Sequence, residues 1–142
     1  MRSVLLVASA AALSACSSVP RAPDPNDYTG GNWDEQVLYH VFVRSFHDAN
    51  GDAHGDLEGI RLKLDYLQDL GVTGILLTPL YPSPFYHNYF ADDFEGIDAE
   101  LGDMESYHAL VADLHARDMR LIMDTEIQYV TGEHDWYRDS FG

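Results

Sequence analysis

Two apolar rhythms alternate through residues 37–125, and that alternation restricts the folds open to the chain. Val37 to Ser45 (VLYHVFVRS) is dense in β-branched and aromatic residues, the composition of a strand. From Leu57 to Leu70 the period changes: Ile60, Leu64, Leu67 and Leu70 fall at i, i+4, i+7 and i+10, the stripe of an amphipathic helix that Gly71 stops. Gly74 to Thr78 (GILLT) is continuously apolar and closed by Pro79, as a strand buried on both faces requires. Asp103 offers a cap to a helix through Arg117, with Tyr107, Leu110, Val111 and Leu114 as its stripe. Leu121 to Thr125 (LIMDT) reads as a third buried strand. Strand, helix, strand, helix, strand is two consecutive βαβ units, which makes an α/β fold of three parallel strands joined by right-handed crossovers.

In such a sheet the functional loops lie beyond the strand C-termini, here His47–Asp56, Leu80–Gly102 and Glu126 onward. All three are rich in Asp, His, Tyr and Asn. The chain carries 24 Asp+Glu against 8 Lys+Arg, a formal charge of −16. That balance excludes nucleic acid and anionic lipid headgroups as partners, since both need a basic face. A neutral ligand such as a sugar, or a cation, is compatible with it. At 46 % hydrophobic the sequence can bury a core. Its 142 residues fall well short of the roughly 250 of a complete (β/α)₈ barrel.

The N-terminus has a different character. Arg2 precedes an apolar, Ala-rich run from Val4 to Leu13, too short for a bilayer span of about 20 residues. Small residues follow, ending in Leu13-Ser14-Ala15-Cys16. Residues 1–15 read as a signal peptide, and the motif resembles a bacterial lipobox, in which Cys16 becomes the lipidated first residue. An ordinary secretory signal with an incidental cysteine is the alternative. Ser17 resembles an outer-membrane sorting residue, which implies a lipid-anchored protein of the bacterial cell envelope. Residues 16–32 hold Pro20, Pro23, Pro25 and Gly30-Gly31 and read as a flexible tether, with the folded domain at 33–142. One cysteine excludes an internal disulfide.

The loop chemistry is specific. Asp48, Asn50, Asp52 and Asp56, with the carbonyl of His54, alternate with small residues as in a loop that wraps a hard cation such as Ca²⁺. It is not an EF-hand: Ala53 and Gly59 stand where that loop needs Gly and Glu, and it follows a strand. The competing reading is an acidic turn without metal. The second loop is aromatic from Tyr81 to Phe90 and can stack on sugar rings or pack on itself. Asp124 lies at the end of a buried strand, where a carboxylate needs a partner. Asp124 and Glu126 share a face if that strand continues, although two carboxylates from one strand do not flank a substrate as a glycosidase pair does.

Together these segments resemble the N-terminal part of the α-amylase family, glycoside hydrolase family 13. Tyr39-His40-Val41-Phe42-Val43-Arg44-Ser45-Phe46 is similar to its first barrel strand, and Asp48–Asp56 to the calcium loop of its oligoglucosidase-like members. Asp65 to Val72 with Leu77-Thr78-Pro79 resembles the passage into its second strand. Tyr86-His87-Asn88-Tyr89 and Ile97 to Gly102 resemble its sugar-contacting tyrosine loop. The resemblance implies the first three strands and two helices of a TIM (β/α)₈ barrel and a retaining reaction on α-linked oligo- or polysaccharide. It implies Tyr89 as sugar platform, Asp124 as organiser of the sugar at the cleavage point, and Tyr129 as a further contact. Asn88 replaces a glycine, and Gln128 and Tyr129 stand where the family carries Asn and His. The family's nucleophilic Asp, acid/base Glu and third Asp follow its fourth, fifth and seventh strands, so no catalytic carboxylate is expected within residues 1–142. Hydrolysis, transglycosylation, a surface-anchored calcium- or glucan-binding module and an inert truncated product are the readings to separate.

Overall fold

The computed structural model describes residues 33–141. The signal and tether segments and Cys16 lie outside the described residues. Three strands, β1 (Leu38–Val41), β2 (Gly74–Leu77) and β3 (Arg120–Met123), form one sheet in the order β1-β2-β3. Both pairings are parallel, with Leu38, Gly74 and Arg120 in register at one end and Val41, Leu77 and Met123 at the other. Four helices accompany them: α1 (Leu57–Leu62), α2 (Leu64–Asp69), α3 (Met104–His115) and α4 (Asp135–Asp139). This is the double βαβ expected from the periodicity. None of the described helices is long and apolar enough to cross a membrane.

The core gathers where the two periods meet. Val41, Ile75 and Leu77 of the sheet pack with Leu57, Ile60, Leu64 and Leu67 of α1–α2 and Leu110 and Leu114 of α3, all fully or almost fully buried. Each such side chain contributes about 1.5–3 kcal/mol of burial. Asp103 starts α3 with a capping box: its carboxylate accepts from the Ser106 N–H at 2.7 Å, while Ser106 Oγ accepts from the Asp103 N–H at 2.9 Å. Arg61 bonded to Asp113 and Arg117 bonded to Asp65 tie the two helical layers together.

Several expectations need correction. The first strand stops at Val41, and Val43–Ser45 winds into a 3₁₀ turn closed by Ser45 N–H on the Phe42 carbonyl at 3.0 Å. The acidic loop forces this, because Gly55 and Asp56 N–H groups return to the Arg44 and His47 carbonyls. The helix from Leu57 to Leu70 is broken at Lys63, whose φ of −107° and ψ of 3° leave the helical region. Leu70 is 54 % exposed and leaves the stripe. Gly71, at φ 84°, donates to Gln68, and Val72 N–H reaches back to Leu67. This Schellman turn buries Val72 in Leu70's stead. The third strand is half-exposed along its length rather than buried, since no described strand pairs with its outer edge. Helix α4 was not expected; its cap is the buried His134, whose Nδ1 accepts from the Trp136 N–H at 3.1 Å.

Candidate functional site

The sheet ladder decides where Asp124 sits. Thr78 N–H donates to Val41 and Asp124 N–H to Leu77, so the parallel pairing runs one residue past the ends of β2 and β3. Asp124 therefore leaves the sheet at its C-terminal end, half-buried, with β3 finished at Met123. Glu126 does not continue a strand face with it; its carboxylate accepts from the Gln128 N–H at 3.1 Å.

The loop after β2 brings a partner to that carboxylate. Tyr89 Oη donates to Asp124 Oδ2 at 2.5 Å, across 35 residues of sequence. The bond to the Asp124 carboxylate, burial, and the charges of Asp124 and Glu126 push the Tyr89 phenol up to about 12. Tyr89 is thus a neutral, fixed donor at physiological pH. One hydrogen bond uses one of the roughly four acceptor positions of a carboxylate, so Asp124 can take hydroxyl donors beside a ring that offers an apolar face.

Other rings extend the platform. His87 Nδ1 accepts from the Tyr89 N–H at 3.0 Å, and its ring lies parallel to Phe85, with centroids 5.8 Å apart. Phe90 packs on both His87 and Tyr129, so Tyr129 joins the cluster through Phe90 while half its surface faces solvent. The loop also packs on itself, as the plainer reading had it: Tyr81 meets Phe94 edge-on at 5.0 Å. Beyond β3 the chain pairs again with this loop. Val130 bridges Ala91, Thr131 N–H donates to the Ala91 carbonyl, and the Thr131 hydroxyl donates to Asp92.

The acidic loop after β1 is built differently. Asp48 accepts from the N–H groups of Gly51 at 2.6 Å and Ala53 at 2.8 Å, and those backbone bonds hold its carboxyl below the usual range. Asn50 accepts from Asp52 N–H, and Asp52 from His54 N–H. Asp56 accepts from Ala49 N–H and, as the cap of α1, from Gly59 N–H. Gly55 and Gly59 allow this closure, since a Cβ would sit 2.1 Å from the Val43 carbonyl oxygen and 1.9 Å from that of His47. The side chains are those a hard cation takes, and their carboxylates keep acceptor positions beyond these bonds. Their positions fit less well: among the described residues no three His, Cys, Asp or Glu side chains surround a point where one ion could touch them all. Arg44, bonded to Glu100 and 3.1 Å from His54, links this loop to the aromatic one.

Comparison with known proteins settles the ancestry of this arrangement. Residues 40–142 match the alpha amylase catalytic domain. The chain belongs to the α-amylase family. It is 44 % identical over 109 residues to an oligo-1,6-glucosidase of Bacillus cereus, covering 76 % of this chain and 20 % of that protein. It is 42 % identical over 109 residues to an alpha-glucosidase of Schizosaccharomyces pombe, with 76 % and 19 % covered. Among solved structures it resembles a trehalulose synthase from Pseudomonas mesoacidophila MX-45, with TM-score 0.73 and 40 % identity over 76 % of this chain and 20 % of that one. An alpha-amylase from H. orenii gives TM-score 0.69 and 41 % identity, with 72 % and 22 % covered. The chain spans about one fifth of the length of the relatives it matches. Its three parallel strands and their helices are the start of the family's TIM barrel.

Within this α-amylase-family frame, sequence reasoning found Tyr89 and Asp124 but missed what supports them. Asn88 was noted only as a departure from glycine, and the charge of Glu126 near the Tyr89 phenol was not anticipated. The positive φ of 59° at Asn88 explains the first, because asparagine is among the few residues that tolerate the left-handed region a glycine occupies freely. Gln128 is exposed, and Tyr129 stacks rather than offering the imidazole that the family pattern carries.

Proposed function

We propose that residues 33–142 form the first part of the catalytic domain of an enzyme acting on α-linked glucosides, and supply part of the site that holds the sugar at the cleavage point. The observation that carries this reading is the Tyr89–Asp124 hydrogen bond at the C-terminal end of the sheet. It pairs an apolar ring face with a carboxylate acceptor, the combination that a pyranose with its C–H face and hydroxyl rim requires. The names of the similar proteins, oligo-1,6-glucosidase and alpha-glucosidase, support an α-glucoside as ligand. Likeness to a trehalulose synthase keeps glucosyl transfer beside hydrolysis as an outcome for the whole enzyme.

In a retaining reaction a carboxylate attacks the anomeric carbon while an acid protonates the leaving oxygen. Family members draw both groups from strands after the third, so Tyr89, Asp124 and Tyr129 here bind and orient. The test is saturation-transfer NMR of the full chain with isomaltose and its β-linked counterpart gentiobiose. Transfer to isomaltose that Asp124→Ala abolishes supports the reading; equal transfer to both sugars, or none, contradicts it.

Two further roles belong to the same proposal. Ca²⁺ would be held by Asp48, Asn50, Asp52, Asp56 and the carbonyl of His54 and would rigidify the loop, with no part in bond cleavage. Lipidation at Cys16 would anchor the protein in the bacterial envelope, facing the periplasm or the outer membrane. Metabolic labelling with a fatty-acid analogue, lost in Cys16→Ser, checks the anchor.

A further inference from the structure

Residue 88 lies beside the sugar platform, and its side chain does work there that a glycine would not do. Asn88 is 2 % exposed. Its Nδ2 donates to the Tyr81 carbonyl at 2.8 Å and to Asp98 Oδ2 at 2.7 Å, which uses both amide hydrogens. Both acceptors are themselves anchored. Tyr81 is buried against Phe94, while Asp98 returns its N–H to the Leu80 carbonyl and accepts from the Glu100 N–H. The two bonds thus span the loop from Tyr81 to Asp98, and the backbone of Asn88 closes a tight turn with its N–H on Phe85 at 3.0 Å. The next residue is Tyr89.

We infer that Asn88 is a positioning residue, whose buried amide clamps the loop so that the Tyr89 phenol arrives on the Asp124 carboxylate. A glycine at this position supplies the same backbone conformation without the clamp, leaving the turn free to swing the ring away from Asp124. The consequence for function rests on the reading of Tyr89 and Asp124 as a sugar site; the positioning itself does not.

The full chain labelled with ¹³C at tyrosine Cζ separates the two. In the unsubstituted chain the Tyr89 resonance, identified by its loss in Tyr89→Phe, stays that of a protonated phenol through pH 11, because its pKa is pushed up to about 12. In Asn88→Gly the midpoint falls toward the ordinary phenol value of about 10, and Tyr89 is mostly ionised at pH 11. Asp98→Ala removes one of the two clamps and gives a smaller shift of the same sign, which keeps the test available if Asn88→Gly does not fold. A folded variant in which Tyr89 stays protonated at pH 11, even with a lowered melting temperature, overturns the inference and leaves Asn88 a purely structural residue. A shifted Tyr89 in a chain that does not bind isomaltose upholds the positioning and rejects the sugar reading.

Discussion

The two loops at the C-terminal end of the sheet are both polar and both tightly hydrogen-bonded, but they close in opposite ways. In the loop after β1, Asp48, Asn50, Asp52 and Asp56 mostly accept from backbone N–H groups two to seven residues away. The loop after β2 is held from a distance: Tyr89 by Asp124, Asn88 by Tyr81 and Asp98, and Asp92 by Thr131. A locally closed loop keeps its shape when its surroundings change. A loop closed over 35 residues reports on the register of the sheet beneath it, which suits it to build a site shared between strands.

The largest expected effect probes the locally closed loop. Gly59→Ala forces a Cβ to within 1.9 Å of the His47 carbonyl oxygen, a backbone atom that must move. The cost lies at the upper end of the roughly 1–3 kcal/mol typical of overpacking, and thermal melting of the full chain measures it. Asp56→Ala follows, at about 2 kcal/mol, because it removes the cap of α1 and the acceptor of Ala49 N–H together. Neither substitution should alter the Tyr89 phenol, and a changed Tyr89 titration in either would erase the distinction between the loops.

Tyr89→Phe probes the other loop and costs about 1 kcal/mol, the ordinary worth of a hydrogen bond. It also carries a pH signature. Tyr89's folded pKa is raised, so its contribution is complete below the unfolded value of about 10 and disappears as pH rises through about 12. Stability measured from pH 9 upward should fall less steeply in Tyr89→Phe than in the unsubstituted chain. Asp48 behaves in the opposite sense and gives the smallest effect. Its folded pKa is lowered, so its contribution is present above the unfolded value of about 3.9 and is lost as pH falls through the folded value. Asp48→Asn should flatten the acid limb of the stability curve below pH 4 and leave the alkaline limb unchanged. Added Ca²⁺, if this loop holds it, raises the melting temperature in proportion to its saturation, and Asp48→Asn should remove that rise. A Tm unmoved by millimolar Ca²⁺ would count against the metal.

The same contrast explains what was legible in the sequence. Features set within a turn or two were readable: the Asp103 capping box, the stripe of Ile60, Leu64 and Leu67, and the apolar run of β2. The Asx pattern of the acidic loop was readable too, although the composition by itself does not separate a metal loop from a turn that satisfies its own backbone. Features set by packing were not. Leu70 fits the helical period yet is turned out by the Schellman closure that buries Val72. The break at Lys63 has no Pro or Gly to announce it. β3 reads as buried because its composition is apolar, while its exposure depends on which strands flank it. Tyr89 and Asp124 were each identified, but their hydrogen bond required knowing that parallel pairing carries Asp124 one residue past Leu77. The role of Asn88 depends on partners seven and ten residues away and on a positive φ, neither of which leaves a sequence pattern.

The most direct test of the account is a titration of the full chain with isomaltose, following the ring resonances of Tyr89 beside those of an exposed tyrosine such as Tyr66. The account requires saturable, weak binding in the millimolar range that shifts Tyr89, leaves Tyr66 unmoved, and is lost in Asp124→Asn with the fold intact. Binding that survives Asp124→Asn unchanged, or an isomaltose titration that moves no Tyr89 resonance, would contradict it.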